Sequence, residues 1–372
     1  MQERHVMHIL TKASIARFKP VELNITTNSR ISGGSLVKFS FAVTSCVVGH
    51  YIVCLCTLFD LLILISVHSG QFCPGHAKDL LEEVIQAAIQ KDMRIFCLTE
   101  HMPRHTEDLY PEEVGTNTLE TMLEVEAAYF KEATRLREKY QSQINLPIGF
   151  ECDWIRPSSL DLIKQSLDKY PFDFFIGSVH HVHTIPIDYD RDFYIRAREI
   201  SGGTDEKIFG DYFDSQYKML MELKPPVVGH FDLIRLMSES PDRSFKHWPN
   251  VWEKILRNLD FVAGYGGILE LNSASLRKGM VEPYPKAEIC KEFIARNGRF
   301  CLSDDSHGVH HVALNYSRVR DFLDTAGITT IHYLKYEPDS TAPADDFRFP
   351  NMRIGSISVE DLKKESFWEI TA

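Results

Sequence analysis

From residue 80 onward the apolar positions alternate between a helical and a strand period. Leu80, Leu81, Val84, Ile85, Ala88 and Ile89 fall on one helical face. The run from Arg94 to His101 that follows reads as a buried strand ending in polar groups. The spacing predicts a long helix over 118–140, with Leu119, Met122, Leu123, Ala127, Phe130 and Leu136 on one face. A strand with an acidic end is expected over 145–154, then a helix over 159–167 and a strand over 172–181. The polar stretch 182–210 reads as an irregular excursion over the surface. Beyond it, helices over 212–223, 252–263, 287–297 and 319–326 alternate with strands over 226–232, 267–272, the run beginning at Cys301, and 328–334. The tail after Glu337 is polar, contains proline and shows no periodicity. Strands and helices alternating in this way imply parallel βα units, and so many in succession favour a closed α/β barrel over an open sheet. The chemistry of such a barrel sits where the strands end.

The first 67 residues break this pattern. Over 41–65 the chain is nearly continuously apolar, and His50 and Asp60 are its only titrating interruptions apart from cysteine and tyrosine. The run is long enough to cross a bilayer, with Asp60 costing roughly 2.5–3.5 kcal/mol on insertion scales. It starts too far in, and lacks the cleavage site, for a secretory signal peptide. Three readings stand: a membrane span, a first core strand at its end, or sequence foreign to the mature protein. The expected division is therefore an atypical segment over 1–66, a catalytic domain over 67–336 and a tail over 337–372.

Composition narrows the function classes. A formal net charge of −11 with no long basic run argues against nucleic acid as a partner. The eight cysteines form no Cys-x-x-Cys pair, which fits reduced thiols and a cytoplasmic location, with anchoring through 41–65 as the alternative. Oligomeric state is not legible.

The strand ends carry the chemistry. In order they offer His68, His101, Glu151, His180 with His181, His230, the stretch from Asn272 to Arg277, and Asp305 with His307. A lone histidine at a strand end is more often a hydrogen-bonded structural residue than a ligand. Imidazole or carboxylate at nearly every strand end is hard to produce from packing alone, and it points to a multinuclear metal site. An arginine near the rim could hold an anionic group, because its planar fork holds two oxygens. Arg277 follows a strand towards the same rim, and Arg235 is a second candidate. Lys278 and Arg104 read as solvated surface, and Asp153 and Asp232 as surface acids. His181 and His183 read as solvated loop residues, with a substrate contact by His181 as the alternative. No phosphate-cradling glycine loop and no nucleophile elbow competes.

His68, His76 in Cys-Pro-Gly-His, Thr-Glu-His101, Gly-Phe-Glu151, Gly-Ser-Val-His180, Gly-His230 and Asp305-Ser-His307 together resemble the motif series of the polymerase-and-histidinol-phosphatase (PHP) superfamily. Within it the series is most similar to the monofunctional histidinol-phosphatase family in its fungal form, over roughly 68–334. The resemblance implies a distorted (β/α)7 TIM-like barrel holding up to three divalent ions, Zn, Mn or Fe. It implies His68, His76, His101, Glu151, His180, His230, Asp305 and His307 as metal ligands, with Glu151 bridging two ions. It also implies Arg277 as the phosphate-binding arginine; Glu151, Asp305 and Arg277 are the expected catalytic groups, and Arg277, Arg235 and His181 the expected substrate contacts. The family reaction converts L-histidinol phosphate to L-histidinol and phosphate in histidine biosynthesis, and the amine of that substrate makes Asp153 and Asp232 alternative partners for it beside their reading as surface acids.

One position departs from the series. Where the family's first motif reads His-x-His, this chain has Ser66-Val67-His68, and a neutral serine is a poor ligand for Zn or Mn. The chain is a variant with reduced activity, or neighbouring ligands and water complete the shell, or the sequence upstream of His68 comes from a mistaken gene model in which translated intron replaces a short first exon. The last is the favoured hypothesis, because the odd composition ends where the resemblance begins. Sequencing the transcript across this boundary is expected to reveal a different upstream exon; a mature message encoding Ser66 and the residues before it rules the hypothesis out.

Overall fold

A computed structural model describes residues 21–30, 36–48, 51–53, 63–365 and 367–370, with side chains from Val67 onward except those of residues 369 and 370. The chain divides into Met1–Phe59 and Asp60–Ala372. In the first unit, β1 (Val21–Arg30) pairs antiparallel with β2 (Leu36–Val48), and β3 (Tyr51–Val53) pairs antiparallel with the end of β2. The run over 41–65, read above as long enough for a bilayer, thus contributes to β2, β3 and the next strand, β4 (Ile63–Val67). Its many β-branched residues favour extended backbone. Among the described residues no helix is long and apolar enough to cross a membrane. The rest of that run and the side chain of Ser66 lie outside the described residues.

The second unit is built round a curled parallel sheet. Its strands are β4, β5 (Ile95–Phe96), β6 (Leu98–His101), β7 (Ile148–Asp153), β8 (Ile176–Ser178) and, after a small hairpin of β9 (His181–Val182) and β10 (Ile185–Pro186), β11 (Val227–Val228), β12 (Ile268–Asn272) and β13 (Arg299–Ser306). The order across the sheet is β5-β4-β13-β12-β11-β8-β7-β6. Its two end members are consecutive pieces of one extended segment, parted at Cys97. Ile95 and Phe96 register with Ile63 and Leu64, while Leu98 to His101 register with Ile148 to Glu151. The sheet therefore returns to its own starting segment, as a (β/α)7 barrel does. Every position of β7 and β12 is buried, the condition of parallel strands covered on both faces.

The helices between the strands pack outside the sheet. Leu81–Gln90 buries Leu81, Val84, Ile85 and Ala88. Leu119–Tyr140 starts where the Thr118 hydroxyl accepts from the Thr121 backbone N–H. Pro249–Tyr265 opens with a proline at its first position and stops at Gly266, whose φ of 77° ends the helix.

Two expectations change. The polar stretch 182–210 is regular: Asp190 caps the helix Arg191–Ser201 by accepting from Phe193, and the helix Asp205–Leu223 follows with Thr204 as its cap. Capping and a narrow buried face, Tyr194 and Ala197 in the first helix, stand in for the broad apolar stripe that periodicity detects. The tail is also structured, because β15 (Met352–Ser358) pairs antiparallel with β14 (Thr330–Tyr336).

The barrel is tight where β8 meets its neighbours. A methyl group added at Gly177 would lie 2.5 Å from Cγ of Pro225 and 3.2 Å from the Met219 side chain. Gly177→Ala is therefore expected to destabilise the fold by about 1–3 kcal/mol through overpacking. Denaturant unfolding checks this, and an unchanged midpoint refutes the close-packing argument.

Candidate metal centre

Five strand ends on one rim bring imidazole and carboxylate groups to a common point. His68 follows β4, His101 ends β6, Glu151 lies within β7, His180 follows β8 and His230 follows β11. β13 supplies Asp305, and His307 follows it. The pairing of β13 with β4 slips between Ser303 and Ser306, and Asp305 has a positive φ of 50°. Such a bulge re-aims a side chain that a regular strand would direct elsewhere. His76 arrives from the loop after His68, where Gly75 turns the chain with a φ of 92°.

Glu151 sits at the centre. Its Oε2 is 3.1 Å from His68 Nε2 and 4.0 Å from His101 Nδ1, and its Oε1 is 3.1 Å from His230 Nε2 and 3.5 Å from His180 Nε2. His68 Nε2 also lies 3.5 Å from Asp305 Oδ1. Three sets offer ligand atoms within 4.8 Å of one another: His68, His101 and Glu151; His68, Asp305 and His307; and Glu151, His180 and His230. Atoms about 2.1 Å from one tetrahedral ion lie roughly 3.4 Å apart, so these separations fit shared divalent ions. His76 Nε2 and His307 Nε2 approach to 2.7 Å, while His307 Nδ1 is 2.7 Å from the backbone carbonyl of Asp305. Donation from Nδ1–H to that carbonyl leaves the lone pair on Nε2, the atom facing His76. The Nδ1 atoms of His68, His101 and His230 are buried without a hydrogen-bond partner.

The charges agree with this geometry. Burial favours the neutral imidazole of His68, but the carboxylates of Glu100, Glu151 and Asp305 outweigh it and push its pKa up to about 10. Burial would raise Glu151, yet His230, His68, His180 and His101 hold it well below the usual carboxylate range. His101 is lowered by burial and by the charge of His68.

Further carboxylates support these groups. Asp153 contacts His180 Nδ1 and accepts from Arg104 at 3.0 Å, which fixes the ring with Nε2 towards Glu151. Glu100 accepts from the backbone and hydroxyl of Ser69 at 2.8 and 2.6 Å, tying down the residue after His68. Glu270 accepts from the His230 backbone N–H at 2.5 Å and from Asn272 at 2.8 Å, and burial pushes its pKa up to about 7. Asp304 is buried facing Ser306 and the backbone of Ala313. These supporting acids lie inside strand patterns, so the sequence reading passed over Glu100, Glu270 and Asp304.

The groups open on a cleft whose walls also carry Arg104, Tyr110, Asp188 and Lys278. The arginines expected there are elsewhere. Arg277 donates to the backbone carbonyls of Asp304 and Asp305 at 3.3 and 3.2 Å, so it braces the bulge. Arg235 is 1% exposed, pairs with Asp232 at 3.0 Å and donates to the carbonyls of Glu282 and Pro283. His181 is buried beside Tyr110 and does not line the cleft. Arg104, read as surface, is 5% exposed and at the cleft, paired with Asp153 and Glu113. Lys278 is exposed at the cleft mouth with no ion pair among the described residues. Asp153 and Asp232 are both buried, so neither is a surface acid.

Several known proteins are similar to this chain. A Schizosaccharomyces pombe protein named "Probable histidinol-phosphatase" is 44% identical over 274 residues, 73% of this chain and 89% of that protein. The Saccharomyces cerevisiae histidinol-phosphatase is 29% identical over 334 residues, 81% of this chain and 97% of that protein. A crystal structure of the Lactococcus lactis histidinol phosphate phosphatase, complexed with Zn, L-histidinol and phosphate, superposes with a TM-score of 0.54 at 20% identity, covering 73% of this chain and 95% of that one. The model of the PHP domain matches residues 65–274, and the chain belongs to the PHP-domain family.

Proposed function

We propose that this protein is a metal-dependent histidinol-phosphatase, hydrolysing L-histidinol phosphate to L-histidinol and phosphate in the cytoplasm. The observation that carries the reading is the Glu151 centre, with four imidazoles within 4.0 Å of one carboxylate, in a chain 44% identical to a relative of that name. His68, His76, His101, Glu151, His180, His230, Asp305 and His307 would hold up to three divalent ions. Zn, Mn and Fe suit this mixed nitrogen and oxygen set. Bound there, such ions supply an activated water and neutralise phosphoryl oxygens.

The chain's own residues set the rest. Asp153 orients His180, and Glu100 and Glu270 fix the backbone beside His68 and His230, so the cage is rigid before substrate arrives. Lys278, free of an acidic partner among the described residues, is placed to receive phosphate oxygens at the cleft mouth. Arg104 is already matched by Asp153 and Glu113, and its role is to hold the wall. Asp305, tipped inward by the bulge, takes a proton from the attacking water and returns it to the leaving alkoxide as the phosphorus–oxygen bond breaks. Arg277 keeps Asp305 in that position.

Phosphate release from L-histidinol phosphate is expected to stop when a chelator strips the protein and to return with added Mn or Zn; a folded protein inactive in every metal overturns the reading. Two substitutions separate cage from cleft. Asp153→Asn is expected to weaken metal affinity by about 10- to 100-fold, with activity recovered in excess metal. Lys278→Ala is expected to keep the metal content and lose kcat/KM. Metal titration and steady-state kinetics on both variants check this, and the reverse outcome reassigns the two residues.

A further inference from the structure

Two histidines of the cage have their rings held by a hydrogen bond of their own: His180 through Asp153, and His307 through the Asp305 carbonyl. His230 differs, since its Nδ1 is buried without a hydrogen-bond partner. The direction of its ring therefore depends on how firmly its backbone is held. Glu270 accepts from its N–H at 2.5 Å, and the Leu233 N–H donates to its carbonyl at 2.8 Å. The next carbonyl, that of Phe231, accepts at 2.9 Å from Nε2 of Gln216, a side chain buried in the helix Asp205–Leu223.

Gln216 is itself oriented from behind. Its Oε1 accepts at 3.0 Å from Nδ2 of Asn258, which is buried in the neighbouring helix Pro249–Tyr265. Asn258 Nδ2 also donates to the Phe213 carbonyl at 2.8 Å, and its Oδ1 accepts from Nε and Nη2 of Arg257, both at 3.0 Å. An amide side chain can point either way until its partners choose for it. A guanidinium only donates and a backbone carbonyl only accepts, so Arg257 and Phe213 fix Asn258, and Asn258 fixes Gln216 with its NH2 group towards Phe231. The half-buried Arg257 is anchored in turn by Asp214 at 2.9 Å. Matched in this way, the two buried amides form a directional chain from the joint between two helices to the residue beside His230. We infer that Gln216 is a positioning residue for His230, set by Asn258 and acting through the Phe231 carbonyl, and that this pair governs occupancy of the ion shared by Glu151, His180 and His230. This inference rests on the metal-dependent reading of the site.

Titration of the metal-stripped full chain with Zn or Mn tests it, with folding followed by the denaturant midpoint. Gln216→Met keeps the length of the side chain and loses both hydrogen bonds. It is expected to raise the metal concentration that fills this ion site by about 10- to 100-fold, so that in a chelating buffer the folded variant retains one ion fewer than the wild type. Asn258→Asp is expected to do the same by another route: the new carboxylate keeps Arg257 but draws the Gln216 NH2 group to itself, which turns Oε1 to the Phe231 carbonyl. Because both changes act through one bond, the double variant is expected to lose no more affinity than Gln216→Met alone. General destabilisation lowers the midpoint and leaves the ion count of the folded protein at the wild-type value. A wild-type ion count in either folded variant, or losses that add in the double variant, overturns the assignment and leaves the metal centre in place. If Gln216→Met does not fold, the ion count of Asn258→Asp decides. A wild-type protein that takes up no divalent ion removes the metal-dependent reading, and this inference with it.

Discussion

One carboxylate facing four imidazoles is the constraint on which the architecture turns. Glu151 offers two oxygens, and His68, His101, His180 and His230 reach them from four other points on the rim. None of these pairs is local in sequence, so their separations depend on strand register. A closed parallel sheet provides that accuracy, since each strand is held by neighbours on both sides and carries its end group to the same rim. Where a regular strand would miss the centre, the fold departs from regularity. The bulge in β13 and the positive φ of Asp305 are the local cost of directing that carboxylate inward.

The supporting groups follow from the same need. An imidazole free to rotate would offer its nitrogen in many directions, and Asp153 removes that freedom for His180. Arg277 acts one layer further out, binding the two carbonyls within the bulge. It lies beside the centre without touching the cleft. A cation close to the candidate metal centre can thus serve the shape of the site, while the cation presented to solvent, Lys278, comes from the next position in the chain.

That pair marks the limit of what residue patterns reveal. The barrel was legible because its strands are continuous apolar runs ending in polar groups, and the cage residues because those end groups are His, Asp or Glu. Which of Arg277 and Lys278 faces the cleft was not legible, since it depends on the direction of one short helix, Ala274–Arg277. Glu100 and Glu270 were hidden for another reason: a buried acid inside a strand has no periodic signature, and its partners, Ser69 and the His230 backbone, are brought beside it by neighbouring strands. The helix Arg191–Ser201 was missed because its cap and two buried residues hold a sequence that is otherwise polar.

The closure of the sheet sets an order of assembly. β4, the first strand of the second unit, is parallel to β13, the last strand of the barrel, and the His68 backbone N–H donates to the carbonyl of Ser306 at 2.8 Å. His68 and Asp305 come together only through this pairing, the most distant in sequence within the barrel and the one with the largest loop-closure cost. A chain emerging from the ribosome therefore exposes its first histidines long before their carboxylate and imidazole partners exist. The full affinity for metal appears only with the last barrel strand, so the finished barrel and the loaded centre arrive together.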